Sequence, residues 1–109
     1  MGLIRPEVIK RIGKREQRLV FKLNRGQKFF LKMKIVGGNN DIDFCVTSRS
    51  RYFYPIETIQ GEKEIEFVPE ITGRYYFIFS NSFSVFTSKD VSASYQLENG
   101  REVKFKIGL

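Results

Sequence analysis

The chain has 109 residues, among them 19 Lys and Arg, 12 Asp and Glu, one Cys and no His or Trp. This length predicts one domain, and 41% apolar residues are typical of a sequence that folds. The absence of His excludes a Ser–His or Cys–His nucleophile pair and a His-bound metal. A single Cys excludes an intrachain disulfide. No apolar run approaches the roughly 18 residues of a membrane span, and the N-terminus lacks a signal-peptide core.

The basic residues are concentrated at the N-terminus. Eleven of the 19 Lys and Arg lie in residues 1–34, where only Glu7 and Glu16 oppose them. This asymmetry indicates a basic end that meets an anionic surface, with solubility as the alternative explanation. The residues that we expect at a membrane surface are Lys10, Arg11, Lys14, Arg15 and Arg18.

We expect residues 1–17 to be an N-terminal extension of a domain over 18–109. Val8, Ile9 and Ile12 would share one side of a short basic amphipathic helix. An isolated helix of this length is marginal in water, so a floppy arm and a leading edge strand are the alternatives.

After residue 17, apolar and polar residues alternate, which places one set of side chains on each face of a strand. Turn residues such as Gly37-Gly38 and Asn99-Gly100 separate the alternating runs. Asn99-Gly100 predicts a two-residue hairpin, because both positions need positive φ. The pattern therefore predicts an all-β fold, an antiparallel β-sandwich (jelly-roll-like) of about eight strands. The residues predicted to face inward include Leu19, Phe21, Leu23, Phe29, Leu31, Met33, Ile35, Ile42, Phe44, Val46, Tyr75, Phe77, Phe79, Val91, Ala93, Tyr95 and Leu97.

No group of residues assembles an enzyme site or a cofactor site. Asn39, Asn40, Asp41 and Asp43 could offer oxygen ligands to calcium, but a turn that leads into a strand is the simpler interpretation. Cys45 has Asp43 and Thr47 as neighbours, whereas a reactive thiol needs positive ones. We therefore predict no catalytic residues, no metal, no cofactor and no small-molecule substrate.

Two segments resemble the signatures of the GOLD (Golgi dynamics) domain. Residues 35–43, Ile-Val-Gly-Gly-Asn-Asn-Asp-Ile-Asp, resemble the first signature. Residues 72–91 resemble the second, which has Gly-x-Tyr, aromatic-x-aromatic-Ser-Asn, Phe-Ser and a Lys-x-Val strand. The order and spacing also match, so the resemblance covers roughly residues 18–98.

The resemblance implies a non-catalytic β-sandwich that binds protein partners in membrane trafficking, as in cargo receptors and Golgi adaptors. The receptors carry a lumenal disulfide, one Cys of which falls at Ile78 here, and continue into a coiled coil and a membrane span. These departures favour a cytoplasmic module, peripheral at a membrane or free of it. A lumenal or extracellular location applies if the chain is a piece of a longer protein.

The function predicted first is therefore protein–protein interaction, with a protein partner or a second copy of the chain. The loop 49–54 is aromatic and basic, as binding hot spots are, although an ordinary hairpin connection with half-buried tyrosines is the alternative. Phe83 and Phe86 are either contact residues or tucked under their loop, and we favour the tucked position. The predicted partner-binding residues are Arg49, Arg51, Tyr52, Tyr54, Phe83 and Phe86.

Two other functions rank lower. The first is peripheral binding to anionic membrane lipids through the basic N-terminal third, since each Lys or Arg near such a surface contributes about 1 kcal/mol. The second is nucleic-acid binding through the basic and aromatic residues 28–34. Phe29 is in register with core residues there, which leaves Phe30 as the one stacking platform. An enzyme ranks last.

Overall fold

The computed structural model describes residues 5–84 and 87–109. Within these ranges the chain forms nine strands and a single 3₁₀ turn over Ile12–Lys14. None of the helical structure described there is long and apolar enough to cross a membrane. The strands are β1 (Glu7–Arg11), β2 (Glu16–Leu23), β3 (Phe29–Val36), β4 (Asp41–Ser48), β5 (Arg51–Gln60), β6 (Glu62–Phe67), β7 (Gly73–Ser80), β8 (Asp90–Leu97) and β9 (Val103–Gly108).

The strands form two antiparallel sheets that pack face to face. The five-stranded sheet has the order β1-β2-β7-β4-β5, and the four-stranded sheet has the order β6-β3-β8-β9. The predicted all-β antiparallel sandwich is confirmed. The strand that exceeds the expected eight is β1, which lies in the basic N-terminal segment.

The N-terminal segment is an edge strand. β1 pairs with β2 from Glu7 opposite Val20 to Arg11 opposite Glu16. The helix interpretation is wrong and the leading-edge-strand alternative is confirmed, because β2 offers a row of backbone partners that an isolated helix would lack. The boundary expected between residues 17 and 18 falls within β2.

Aromatic rings fill the space between the sheets. The Phe29 centroid lies 4.8 Å from those of Phe21 and Phe77, and Phe21 lies 4.8 Å from Tyr95. Tilted and edge-to-face contacts of this kind are favourable for the ring quadrupoles. Every residue predicted to face inward on β2, β3, β4, β7 and β8 is buried, so the alternation predicted the faces of these strands correctly.

The predicted hairpin is confirmed, since β8 and β9 pair antiparallel, but the two-residue turn at Asn99-Gly100 is wrong. β8 ends at Leu97 and β9 begins at Val103, so residues 98–102 form a longer connection. Asn99 has a φ of 61°, whereas Gly100 is not in the left-handed region. The connection bends back instead through a hydrogen bond from the Gly100 amide to the Leu97 carbonyl, at 2.8 Å.

The strands run between two ends of the sandwich, which the connections define. The lysine end comprises residues 12–15, 37–40, 81–84 and 87–89, and the Asn81 amide donates there to the Arg15 carbonyl at 2.9 Å. The arginine end comprises residues 24–28, 49–50 and 98–102, and the Glu98 amide donates there to the Lys28 carbonyl at 2.9 Å.

Candidate protein-binding surface

Neighbouring strands place aromatic and apolar side chains in rows on the outer face of the five-stranded sheet. Tyr52 on β5 pairs with Thr47 on β4, which pairs with Tyr76 on β7. In the next row, Ile78 on β7 lies between Cys45 and Arg18. Directly paired residues share a face, and here they enclose a shallow groove of about 460 Å³, which we call the outer groove. Its lining residues are Arg18, Thr47, Arg49, Ser50, Tyr52, Tyr76 and Ile78.

A two-residue turn closes the groove at the arginine end. Ser48 pairs with Arg51, so Arg49 and Ser50 alone connect β4 to β5. Their φ angles are 51° and 62°, the left-handed conformation that this hairpin turn needs at both positions. That conformation costs a non-glycine residue about 1–2 kcal/mol. The turn therefore holds Arg49 beside the groove at the expense of backbone strain.

A bulged pairing of β4 with β5 separates the two tyrosines of the predicted loop. Tyr52 pairs with Thr47 and Tyr54 with Val46, and the register shifts on both sides of Val46. In a regular strand, residues 52 and 54 would share a face, but a bulge redirects a side chain. Tyr52 is consequently 59% exposed, whereas the Tyr54 ring packs at 5.5 Å against the Phe44 ring.

The prediction of a loop over residues 49–54 is wrong beyond Ser50, because β5 begins at Arg51. The Arg51 guanidinium lies 5.0 Å from the centroid of the Phe53 ring. The Tyr54 hydroxyl donates a hydrogen bond to Glu57. Burial, followed by this bond to the carboxylate, raises the pKa of Tyr54 to about 12. Of the predicted loop residues, Arg49 and Tyr52 line the outer groove, while Tyr54 has a structural role in the hairpin.

On the same outer face of the sheet, Cys45 is buried. This residue is in an outward-facing register, yet it is only 7% exposed. Burial raises the pKa of its thiol, and the Arg18 charge opposes that shift. The thiol therefore stays protonated at neutral pH and has little nucleophilic character. Arg18 itself donates to the Glu16 carboxylate at 2.7 Å.

A sequence model of the emp24/gp25L/p24 family/GOLD matches residues 12–106 of the chain. The match spans both sheets and both segments that resemble the GOLD signatures. The chain belongs to the emp24/gp25L/p24 GOLD family. This family is non-catalytic and associated with trafficking between endoplasmic reticulum and Golgi, where its GOLD domains are lumenal.

No curated protein matches the sequence of this GOLD domain. Among solved structures, the domain is similar to the collagen-binding subdomain ACE19 of the Enterococcus faecalis surface protein ACE. The two share 7% sequence identity with a TM-score of 0.37, over 99% of this chain and 94% of that chain.

The two GOLD signatures meet at the lysine end around a buried lysine. Lys89 of the second signature is 1% exposed. Its ammonium donates to the Asp41 carbonyl at 2.8 Å, to the Asp41 carboxylate at 2.9 Å and to the Asn81 side-chain oxygen at 3.0 Å. Gly38 of the first signature makes room for it, because a Cβ there would lie 2.8 Å from the Lys89 Cε. These residues fasten the connection after β7 to the start of β4.

This network also bears on the oxygen-rich segment 39–43. The Lys89 ammonium binds Asp41 where the calcium interpretation would place an ion, and Asp43 accepts a bond from Thr58 at 2.6 Å. In the described part of the chain, no three His, Cys, Asp or Glu residues form a group that could hold a metal.

Phe83 lies at the lysine end, opposite in the sandwich to Arg49 and Tyr52. Its ring centroid is 4.9 Å from the Lys89 ammonium, yet the residue is 47% exposed. The favoured tucked position is therefore wrong for Phe83, because its ring covers the ammonium from the solvent side. Phe86 lies outside the described residues.

The five residues expected at a membrane surface do not share one environment. Lys10, Arg11 and Lys14 are exposed on β1 and the 3₁₀ turn. The Arg15 guanidinium donates instead to the backbone carbonyls of Ser84 and Thr87. Arg18 lines the outer groove on the opposite side of β2 from the core.

The residues of the outer groove that were not among the predicted site residues are Thr47, Ser50, Tyr76 and Ile78. Tyr76 and Ile78 alternate with the core residues of β7 and therefore face outward. A large aromatic or aliphatic residue in an outward register is a usable signal for a surface patch. Their neighbours across the sheet depend on strand order, which the sequence did not indicate.

Proposed function

We propose that this GOLD domain is a protein-interaction module that binds its partner through the outer groove. The observation that carries the proposal is the Arg49–Ser50 turn, because the pairing of β4 with β5 holds its strained backbone in place and strained conformations cluster at functional sites. The turn holds an exposed arginine beside the exposed ring of Tyr52. Arg and Tyr are the residue types that contribute most at protein interfaces.

The charge of the groove indicates the chemistry of the partner. In the described part of the chain, no carboxylate pairs with Arg49. Arg18, by contrast, already has Glu16 as a partner. We infer that the partner presents a carboxylate to Arg49 and an apolar or aromatic side chain to the surface between Tyr52 and Tyr76. A second copy of the chain is one candidate partner, as is a trafficking adaptor or cargo protein.

For the compartment, we propose the cytoplasm rather than the lumenal location of the family's other GOLD domains. Cys45 lies directly opposite Ile78 on the paired strands β4 and β7, and Ile78 is where the receptors resembled have a disulfide cysteine. A buried thiol opposite an isoleucine needs no oxidising compartment, which supports the proposal.

The test is photo-cross-linking from position 52 in cells that express the chain. Replacing Tyr52 with benzoylphenylalanine is expected to yield a discrete protein adduct that disappears with the additional substitution Arg49→Glu. Position 56 is the matched control, because Ile56 is on the same strand and is 60% exposed, against 59% for Tyr52. The proposal fails if position 52 yields no adduct, if position 56 yields the same one, or if the adduct survives Arg49→Glu.

A further inference from the structure

The connection between β1 and β2 exposes the most accessible large hydrophobic side chain in the described part of the molecule. Ile12 begins the 3₁₀ turn and is 86% exposed. Gly13 follows, and a Cβ added there would meet no atom within 4 Å. The turn therefore protrudes from the sandwich, so nothing in the described structure covers its surface.

Cations flank this isoleucine on both sides. Lys10, Arg11 and Lys14 are exposed, and within the described ranges no carboxylate forms an ion pair with Lys10 or Lys14. Arg11 reaches Glu16 at 3.6 Å, a carboxylate that Arg18 already occupies at 2.7 Å. We call residues 10–15 the tip. The tip thus combines one exposed aliphatic side chain with a net positive surface.

Arg15 fixes the tip in place. It adopts a left-handed conformation with a φ of 52°, and its amide donates to the Ile12 carbonyl at 3.0 Å. Its guanidinium donates to the Ser84 and Thr87 carbonyls, which join the tip to the connection that carries Phe83. The exposed Ile12 and the 47%-exposed Phe83 are therefore held at the same end of the sandwich.

We propose that this tip docks the domain on an anionic lipid bilayer, with Ile12 inserted among the headgroups and Lys10, Arg11 and Lys14 against the lipid phosphates and carboxylates. Charge complementarity selects the occupant: three neighbouring cations fit a surface of many negative charges. The insertion of a single apolar side chain adds burial without a shaped protein pocket. The Arg49–Ser50 turn of the outer groove lies at the opposite end of the sandwich from this tip, so a docked domain keeps that part of the groove free for a protein partner.

The chain lacks Trp, so Ile12→Trp creates a single fluorescent reporter. With phosphatidylcholine vesicles that contain phosphatidylserine, its emission is expected to shift to the blue and to be quenched by brominated acyl chains. Pure phosphatidylcholine vesicles should cause neither change. The matched control is Val68→Trp, since Val68 is a 43%-exposed aliphatic residue away from the tip. Equal responses at the two positions, or none at position 12, overturn the proposal.

Flotation of the full chain separates insertion from simple charge attraction. Ile12→Glu is expected to reduce binding to the phosphatidylserine vesicles by at least about tenfold, more than Val68→Glu with the same charge change.

The contribution of charge is tested separately. Lys10→Glu with Lys14→Glu should abolish binding, whereas Arg25→Glu with Arg101→Glu should weaken it less. Binding of every variant should fall between about 50 and 200 mM salt. If Ile12→Glu and Val68→Glu lower binding equally, or if soluble polyphosphate shifts the Ile12→Trp emission as vesicles do, the tip is a general anion site and the proposal is wrong.

Discussion

The lysine end and the arginine end use similar residues for different purposes. Lys89 is buried against Asp41, Asn81 and the Phe83 ring, so its charge is satisfied inside the molecule. Arg49 stands beside Tyr52 on an exposed turn with no carboxylate partner in the described ranges. A cation near an aromatic ring therefore does not by itself indicate whether the residue stabilises the fold or binds a partner. It stabilises the fold where water is excluded, and it is available to a partner where water is not.

The largest expected effect is at the lysine end. Lys89→Met keeps the apolar stem but leaves the Asp41 carboxylate and the buried Asn81 amide without their donor. Breaking a buried charge pair in this way costs about 3–5 kcal/mol, and urea denaturation would measure the fall in the free energy of unfolding.

The matched control for this substitution is Lys34→Met. The Lys34 ammonium lies 3.9 Å from Glu62, and both side chains are largely exposed, so the loss should stay below about 1 kcal/mol. Similar losses for the two variants would show that Lys89 does not fasten the lysine end.

The next effect concerns the five-stranded sheet that joins the two ends. Ile78→Cys places a second thiol directly opposite Cys45, where paired strands bring Cβ atoms within reach of a disulfide. Oxidation of this variant should raise its free energy of unfolding by about 2–4 kcal/mol over its reduced form. Thiol titration and denaturation with and without reductant would measure both changes.

Ser80→Cys is the control for this disulfide, because Ser80 faces the same side of β7 but lies opposite Asp43. It should keep two free thiols after mild oxidation. Free thiols in both oxidised variants would contradict the register of β4 against β7 at Cys45.

A smaller effect is expected at the arginine end. Ser50→Gly removes the steric cost of a φ of 62° and should raise the free energy of unfolding by about 1 kcal/mol. Thermal denaturation would detect it, with Ser92→Gly on β8 as a control of opposite sign. Partner cross-linking at position 52 should weaken if strain in the turn positions Arg49. A Ser50→Gly variant less stable than the parent would argue against the left-handed turn.

The smallest effect is a pH dependence at Tyr54 in the hairpin of β4 and β5. Because the pKa of Tyr54 is raised to about 12, the folded state retains this proton when the unfolded state loses it. The contribution of the protonated Tyr54 to the free energy of unfolding is complete below the ordinary tyrosine pKa of about 10, and it is lost as the pH rises toward about 12. Denaturation at about pH 9 and about pH 11 should show a larger loss for the parent than for Tyr54→Phe. Identical losses would mean that the pKa of Tyr54 is not raised in the folded state.

The sequence by itself determined the fold class, the buried faces of five strands and the family. Alternation is enough for the fold class and the buried faces, because side chains on a strand point to opposite faces and one face must be buried. The family could be recognised because the GOLD signatures contain residues that contact one another in the fold. Gly38, Asp41, Asn81 and Lys89 serve one network, so their identities and spacing are tied to a single geometry.

The tertiary structure alone decided which residues meet. Asn-Gly predicts a tight turn at residues 99–100, but Arg49 and Ser50 form the two-residue turn, because the pairing of β4 with β5 imposes positive φ on whichever residues lie there. The bulge that turns Tyr52 outward and Tyr54 inward has no local signal. β1 became a strand because β2 offered it an open edge. Each of these features depends on a partner strand that is distant or undetermined in the sequence, and local propensity cannot supply that information.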